Sequence, residues 1–338
     1  MKLRSLVLTL VPIVAIAAAC GGGGDKTTGA SGRKLDKVTL TLNWYPYGEH
    51  APFYYGKKQG IFEKHGIDLE IKAGQGSQKT VQATGAGQTD FGWADTPALL
   101  AGVAQGLPVK SVGVYLQTTP AAVQFFSDKA FRSPADLKGR RIAATAGDAP
   151  SRTFPAFLKK NGLSESDVRL QNTDPAGKMA AVISGRTDGL IGYANDQGPT
   201  MAAKAGKQVS YLKFADFGLN YYSNGLLVGD RRLKSDAELV KRMSAATSEA
   251  WAAAEKDPAN AVAAMRGASQ QLPPPTVLTD QFKTTLSLLH TDATRDRAPG
   301  FNTDAGWRQT ISVFTQSGLI SKAQPPSAYW DSSAGPQG

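Results

Sequence analysis

Residues 42–62 read "LNWYPYGEHAPFYYGKKQGIF" and set Trp44, Tyr45, Tyr47, Phe53, Tyr54 and Tyr55 around one histidine, His50. An imidazole among aromatic rings suits a catalytic base, a hydrogen-bonding group beside a flat ligand, or a packed core. The other reactive side chains narrow that choice. His65 and His290 share no ligand spacing with His50, and Cys20 is the only cysteine, so neither a metal site nor an internal disulfide is expected. No Gly-x-Ser-x-Gly elbow, Walker loop or Gly-x-Gly-x-x-Gly turn occurs. The carboxylates are spread over turns and helix starts, and their spacing picks out no catalytic pair. No catalytic residue, cofactor or enzymatic activity is expected.

Binding chemistry is better supplied. "AGQGSQ" (residues 73–78) and "TAGDAPS" (residues 145–151) each run from a strand into a helix. Ser77 and Ser151 are expected as helix caps, with free N–H groups able to hold a polar ligand edge. Asp148 and the missing N–H of Pro150 make the second loop less open to anions. Arg152 follows it, either facing a carboxylate or solvated in the first turn. Trp44, Tyr47, Trp93, Tyr193, Tyr221 and Tyr222 fall at expected strand ends and could sandwich a ring at about 0.5–1.5 kcal/mol each. Each alone would serve equally well as core. The expected site places Trp44 and Tyr193 on opposite ring faces, with Asn43, His50, Asp95 and Asn195 bonding its edge. Gln75 and Ser77 take a polar substituent, Asp148 and Ser151 belong to the second loop, and Tyr221 and Tyr222 close the hinge side. Phe53 and Tyr54 are expected to pack on the sheet.

The elements that must hold these groups alternate in α/β fashion from Val38 onward. Strands are expected at "VTLTLN", "IDLEIK", "TDFGWA", "VKSVGVYLQT", "AAVQFFS", "RRIAATA", near Val168, at "DGLIGY" and near "YYSNGLLVGD". Helices are expected at residues 50–59, 77–86, 96–106, 151–161 and 176–184, and the chain beyond about residue 229 reads as helical. A capping box of Ser235 and Glu238 opens the clearest of these, with Leu239, Met243, Thr247, Trp251 and Ala254 on its buried face. An internal echo links "GQTDFGWAD" (residues 87–95) with "GRTDGLIGYAND" (residues 185–196). It aligns Trp93-Ala94-Asp95 with Tyr193-Ala194-Asn195, each at the carboxyl end of a strand, where ligands sit in open α/β sheets. Two crossings, residues 117–123 and 224–228, are expected to form a hinge.

The formal charge is +10 over 338 residues, with Lys and Arg scattered rather than clustered, which gives nucleic-acid binding no support. Lys2 and Arg4 precede the apolar "SLVLTLVPIVAIAAA", which ends at Cys20. This resembles a bacterial lipoprotein signal, implying acylation of Cys20 and an exported chain anchored on the outer face of the cell membrane. "GGGGDKTTGASGRK" then reads as a flexible tether.

"LNWYPYGEHAPFYYGKKQGIFEKHGIDLEI", "GQTDFGWAD", "AQGLPVKSV", "SPADLKGRRIA" and "DFGLNYYSNGLLVGDRRLKSDAELVKR" together resemble ABC-transporter solute-binding proteins of the thiamine-pyrimidine-precursor (hydroxymethylpyrimidine) type, relatives of the sulfonate, taurine and nitrate binders. Trp44, Pro46 and His50 occupy that family's Trp-Thr-Pro turn and following His, with Tyr45 in place of Thr. The resemblance implies a two-lobe, type II periplasmic-binding-protein-like α/β fold with a cleft between the lobes. It implies a monomer that closes on a small aromatic or heteroaromatic solute and delivers it to an ABC permease and ATPase. The expected layout is a signal peptide (residues 1–19), a tether (20–37), lobe 1 (38–118 and 229–330), lobe 2 (119–228) and a tail (331–338). Flavins, aromatic carboxylates, sulfonates and nitrate are the other solutes to weigh. A pyrimidine-synthesising enzyme and an envelope sensor are the other functions. The enzyme's cysteine-rich iron motif has no counterpart here.

Overall fold

A computed structural model of the chain describes residues 26–28, 34–146 and 148–337; the expected signal peptide and Cys20 lie outside them. The first half-lobe runs β1 (Lys26–Thr28), β2 (Lys34–Thr41), a 3-10 turn (Gly48–His50), α1 (Ala51–Lys58) and α2 (Ile61–Lys64). It continues through β3 (Ile67–Lys72), α3 (Ser77–Gly85), β4 (Phe91–Asp95), α4 (Thr96–Ala104) and β5 (Val109–Val114). The chain then crosses into β6 (Ala121–Phe126), β7 (Arg141–Ala144), α5 (Ala149–Lys160), β8 (Arg169–Asn172) and α6 (Pro175–Ile183). Next come β9 (Gly189–Tyr193), α7 (Gln197–Ala205) and β10 (Val209–Lys213). It returns as β11 (Asn224–Gly229) and ends in α8 (Asp230–Ser235), α9 (Ala237–Lys256), α10 (Pro258–Ala263), α11 (Pro275–Leu286) and α12 (Asp304–Gln316).

Two sheets result. One has the order β1-β2-β4-β11-β5 with β3 on the other edge of β2, and the second has the order β10-β6-β9-β7-β8. In each, a parallel trio (β3-β2-β4 or β8-β7-β9) meets one antiparallel strand, and that strand (β11 or β6) arrives from the opposite lobe. Lobe 1 centres on Phe53, Trp93, Tyr115 and Trp251, with Trp93 and Trp251 stacked at 5.4 Å. Lobe 2 centres on Phe154, Phe157 and Phe214, with the last two stacked at 4.2 Å. Leu239, Met243, Thr247, Trp251 and Ala254 are all buried along α9, the stripe that the spacing predicts. Helix α12 joins lobe 1 to a crossing: Phe314 packs edge-on against Tyr221, while Trp307 stacks on Trp330, which bridges to Ser111 in β5.

Several expectations are corrected. Residues 26–28 and 34–37 of the expected tether are strand: β1 pairs antiparallel with Lys34–Asp36, and Leu35 is buried. Helix α9 starts one residue late: Asp236, not Ser235, accepts the N–H of Leu239. The segment 224–228 is not a crossing but β11, in the middle of the first sheet. The crossings are residues 115–120 and 214–223, held side by side by Ser223 N–H to Leu116 O (2.8 Å) and Thr119 N–H to Asn220 Oδ1 (3.1 Å). Helix α7 and strand β10 fall in a stretch the sequence expectations leave unassigned. Pro199 and Gly198 blur the helical signal, and edge strand β10 is only half-buried.

The echo is real but its register differs. Asp95 pairs with Asn224 at the end of β4, and Tyr193 pairs with Ala121 at the end of β9, so Asp95 and Tyr193 are the equivalent positions. Trp93 therefore matches Ile191, not Tyr193. The shared Thr-Asp fixes this register. Asp90 accepts the N–H of Thr39 in β2 at 2.8 Å, and Asp188 accepts the N–H of Arg141 in β7 at 2.9 Å.

Candidate functional site

A cavity of about 40 Å3 lies where the carboxyl ends of the two sheets face each other. Lobe 1 contributes Asn43, Trp44 and Tyr47, beyond β2, and Gly76 and Ser77 at the start of α3. Lobe 2 contributes Asp148, Ala149 and Pro150 at the start of α5, Lys178 on α6, Tyr193 at the end of β9, and Asp196 and Gln197. The Gly74–Gly76 turn can wrap this closely because a Cβ at Gly74 would overlap the carbonyl of Leu42, 1.8 Å away. The cavity is smaller than the roughly 150 Å3 that admits a benzene ring. Contacts between the lobes narrow the cleft to this size.

Its polar groups are largely paired with one another. Tyr193 donates its hydroxyl to Asp95 Oδ2 directly across the cleft. Asp148 Oδ1 caps α5 through the Ser151 N–H (2.8 Å), and its Oδ2 accepts from Lys178 Nζ (2.8 Å), whose side chain is 4% exposed. Burial pushes the carboxyls of Asp95 and Asp196 up to about 7, with Tyr193 opposing the shift at Asp95 and Lys178 opposing it at Asp196. A carboxyl so placed either donates or accepts near neutral pH. At the mouth, Arg152 of α5 reaches Gln78 of α3 at 3.2 Å.

His50 stands behind this wall. Its Nδ1 accepts the Tyr47 N–H (3.3 Å), which leaves Nε2–H to donate to Asn43 Oδ1 (2.8 Å). Burial pushes the imidazole down to about 3, so it is neutral. It fixes the amide of Asn43, which does face the cavity. Beside it Glu49, 0% exposed, accepts from Tyr47 Oη (2.5 Å), Trp93 Nε1 (2.7 Å), Asn224 Nδ2 (2.6 Å) and Asn195 Nδ2 (2.9 Å). Desolvation raises this carboxyl while the four donors oppose the rise.

Of the residues singled out in the sequence, Asn43, Trp44, Tyr47, Ser77, Asp148 and Tyr193 line the cavity, and Asp95 is bonded to its wall. The others are placed elsewhere. Trp93 is two residues inside β4, where the sheet and α9 cover it, and His50 and Asn195 sit in the network behind Tyr47. Gln75 is exposed and bonded to Lys79 Nζ. Tyr221 bonds Thr153 at 3.0 Å, and Tyr222 packs on Trp307, so both face a separate cavity of about 260 Å3 behind the hinge. Neither serine is a cap: Gly76 takes that place in α3, and Ser77 Oγ accepts the Asp95 N–H instead (3.2 Å). Ser151 is already in the first turn of α5, with its Oγ buried and unpartnered. Glu49, Lys178, Asp196 and Gln197 were missed. The one legible hint was Lys178, a single cation in the otherwise uncharged "PAGKMAAVI".

Two α/β lobes, paired crossings and a cleft between opposed strand ends define a periplasmic-binding-protein-like fold of type II. The chain belongs to the NMT1/THI5-like family, which matches residues 48–261. It is 24% identical over 226 residues to a formylaminopyrimidine-binding protein of Halalkalibacterium halodurans, covering 66% of each chain and so just under two thirds of that protein. It is 28% identical over 254 residues to the riboflavin-binding protein RibY of Chloroflexus aurantiacus, covering 72% of this chain and 71% of that one. Its fold is similar to the periplasmic aliphatic sulphonate binding protein SsuA of Escherichia coli, with a TM-score of 0.68, 16% identity, and coverage of 89% and 92%. No helix among the described residues is long and apolar enough to cross a membrane, and no cluster among them could hold a metal.

Proposed function

We propose that this chain is the extracytoplasmic solute-binding component of an ABC importer, exported and anchored through an acylated Cys20. It captures a flat, N–H-rich heterocycle of the aminopyrimidine kind and hands it to a permease. The observation that carries the solute class is the make-up of the cavity wall. Trp44, Tyr47 and Tyr193 supply ring faces, while Asp148 and Asp196 outnumber the single ammonium, Lys178, which Asp148 already neutralises. An amino group or a ring nitrogen pairs well with a carboxyl pushed up to about 7. A sulfonate or nitrate would add an anion to a lining with two carboxyls and one ammonium already paired with Asp148, which argues against those solutes. The name of the formylaminopyrimidine-binding relative supports the same class.

The test is a thermal-shift screen of the chain carrying Cys20→Ser and lacking residues 1–19, because a ligand that binds only the folded state raises its melting point. Aminopyrimidines should raise it. A larger rise with alkanesulfonates or nitrate would sink the solute assignment. Conversion of a bound pyrimidine would instead favour the enzyme reading, against which stands His50, whose two ring nitrogens are both engaged. Globomycin-sensitive incorporation of labelled fatty acid, lost in Cys20→Ser, tests the anchor.

A further inference from the structure

We infer that Asn195, Glu49 and Thr285 form an interlobe clasp that sets the balance between the open and closed cleft without touching the solute. The inference rests on the reading of the cleft as a solute site that closes. Asn195 follows β9 in lobe 2, yet both of its amide hydrogens go to lobe 1, to Glu49 Oε2 and to Thr285 Oγ1, each at 2.9 Å. The other three donors to Glu49, from Tyr47, Trp93 and Asn224, all come from lobe 1. The socket is therefore assembled before the lobes meet, and only the fourth donor crosses the cleft. Four neutral donors converge on the two oxygens of Glu49, and the bond from Asn195 completes that set.

Helix α11 presents the second half of the socket. Thr285 spends its hydroxyl hydrogen on the Gln281 carbonyl (2.9 Å), leaving its lone pairs for Asn195. One turn earlier, Gln281 donates to the Asp196 carbonyl of lobe 2 (3.0 Å) and accepts the Gly48 N–H of lobe 1 (2.9 Å). This close seat depends on Gly48, since a Cβ there would lie 2.5 Å from Gln281 Cβ and from the Leu278 carbonyl. Closing also has an opposing term: Asn195 Oδ1 and Asn224 Oδ1 are buried without partners. Interlobe bonds set against stranded acceptors give a poised equilibrium that a modest differential affinity can tip. None of Glu49, Asn195 and Thr285 lines the solute cavity.

The experiment measures lobe separation without any solute. Spin labels are placed at Lys79→Cys in α3 and Lys159→Cys in α5, both exposed, in a Cys20→Ser chain, and interlobe distances are read by electron–electron resonance. Asn195→Asp keeps the shape but sets a carboxyl against Glu49, and should raise the open-to-closed ratio about tenfold at pH 7.5. The titratable groups facing this pair are Tyr47, Asp95 and Asp196, and the neighbouring His50 is neutral. Asn195→Asp combined with Glu49→Gln inverts donor and acceptor while Gln Oε1 still receives Trp93 and Asn224. It should recover the part of closure that the Glu49 bond carries, while the Thr285 bond, which needs an amide donor at 195, stays unmade. Thr285→Val, which removes one acceptor and no charge, should shift the ratio the same way by less. An unchanged distribution in Asn195→Asp and Thr285→Val, or a swapped pair no more closed than Asn195→Asp alone, overturns the clasp. Because no solute is added, failure of aminopyrimidines to bind would overturn the proposed solute and leave this result standing.

Discussion

Trp44 and Trp93 carry the same side chain at neighbouring strand ends, and their surroundings give them opposite roles. Trp44 lies three residues beyond β2, half-buried at the cavity, while Trp93 is stacked against Trp251 and holds Glu49. Trp44→Ala should weaken solute binding by roughly tenfold or more, from the loss of about 0.5–1.5 kcal/mol of stacking plus the buried area. It should leave urea stability within about 0.5 kcal/mol. Trp93→Ala should cost about 3–5 kcal/mol in the same urea titration, and equal effects of the two variants would contradict the assignment. Sequence alone could not separate them, because both read as an aromatic at a strand end; covering by α9 is a tertiary fact. Asp95 adds a pH dependence. Its carboxyl moves from the ordinary value of 3.8 up to about 7, so the folded protein binds its proton more tightly than the unfolded chain does. That contribution is fully present below the unfolded carboxyl's range and is lost as pH rises from about 4 through 7. Asp95→Asn removes this titration while Asp196 keeps its own, so stability should fall less between pH 5 and pH 8 in the variant than in the parent. A steeper fall in the variant, by urea titration at both pH values, would refute this.

At the level of single elements, the start of α9 offers a sharp comparison, because two adjacent residues compete as its cap. Asp236 accepts the Leu239 N–H, whereas Ser235 is the last residue of α8. Asp236→Ala should cost about 1 kcal/mol and Ser235→Ala close to nothing in equilibrium unfolding; the reverse ranking would restore the capping box read from the sequence. Strands with strong apolar runs, such as β4, β6, β9 and β11, were legible, as was the buried face of α9. The register of the echo was not, since aligning aromatics on aromatics overrode the Thr-Asp pair that anchors each strand to its parallel neighbour. The serine caps failed for a related reason. The composition of a strand-to-helix loop marks a helix start to within a residue or two, and only geometry decides which side chain turns back to the free N–H groups.

Across the whole molecule, the two-lobe plan could be read from alternating elements and the family resemblance, while one of the two expected crossings turned out to be β11. The contacts that make the lobes meet could not be read that way. Tyr193 to Asp95, Asn195 to Glu49 and Arg152 to Gln78 join residues 98, 146 and 74 positions apart. No local pattern encodes such pairs. The place of β11 has a consequence in time. It sits between β4 and β5 but is reached only after all of lobe 2 has been traversed, whereas β6 to β10 form one uninterrupted stretch of chain. Lobe 2 can therefore finish its sheet early, and lobe 1 stays incomplete until residue 229 arrives, because closing the longer loop comes at greater entropic cost. In pulse-labelling hydrogen exchange during refolding, amides of β7 and β9 should gain protection before those of β4 and β11. Simultaneous protection of both sheets would argue for one concerted step. For the export proposed above, this schedule would suit passage across a membrane as an unfolded chain, since the larger lobe cannot commit to a fold until most of its length has been delivered.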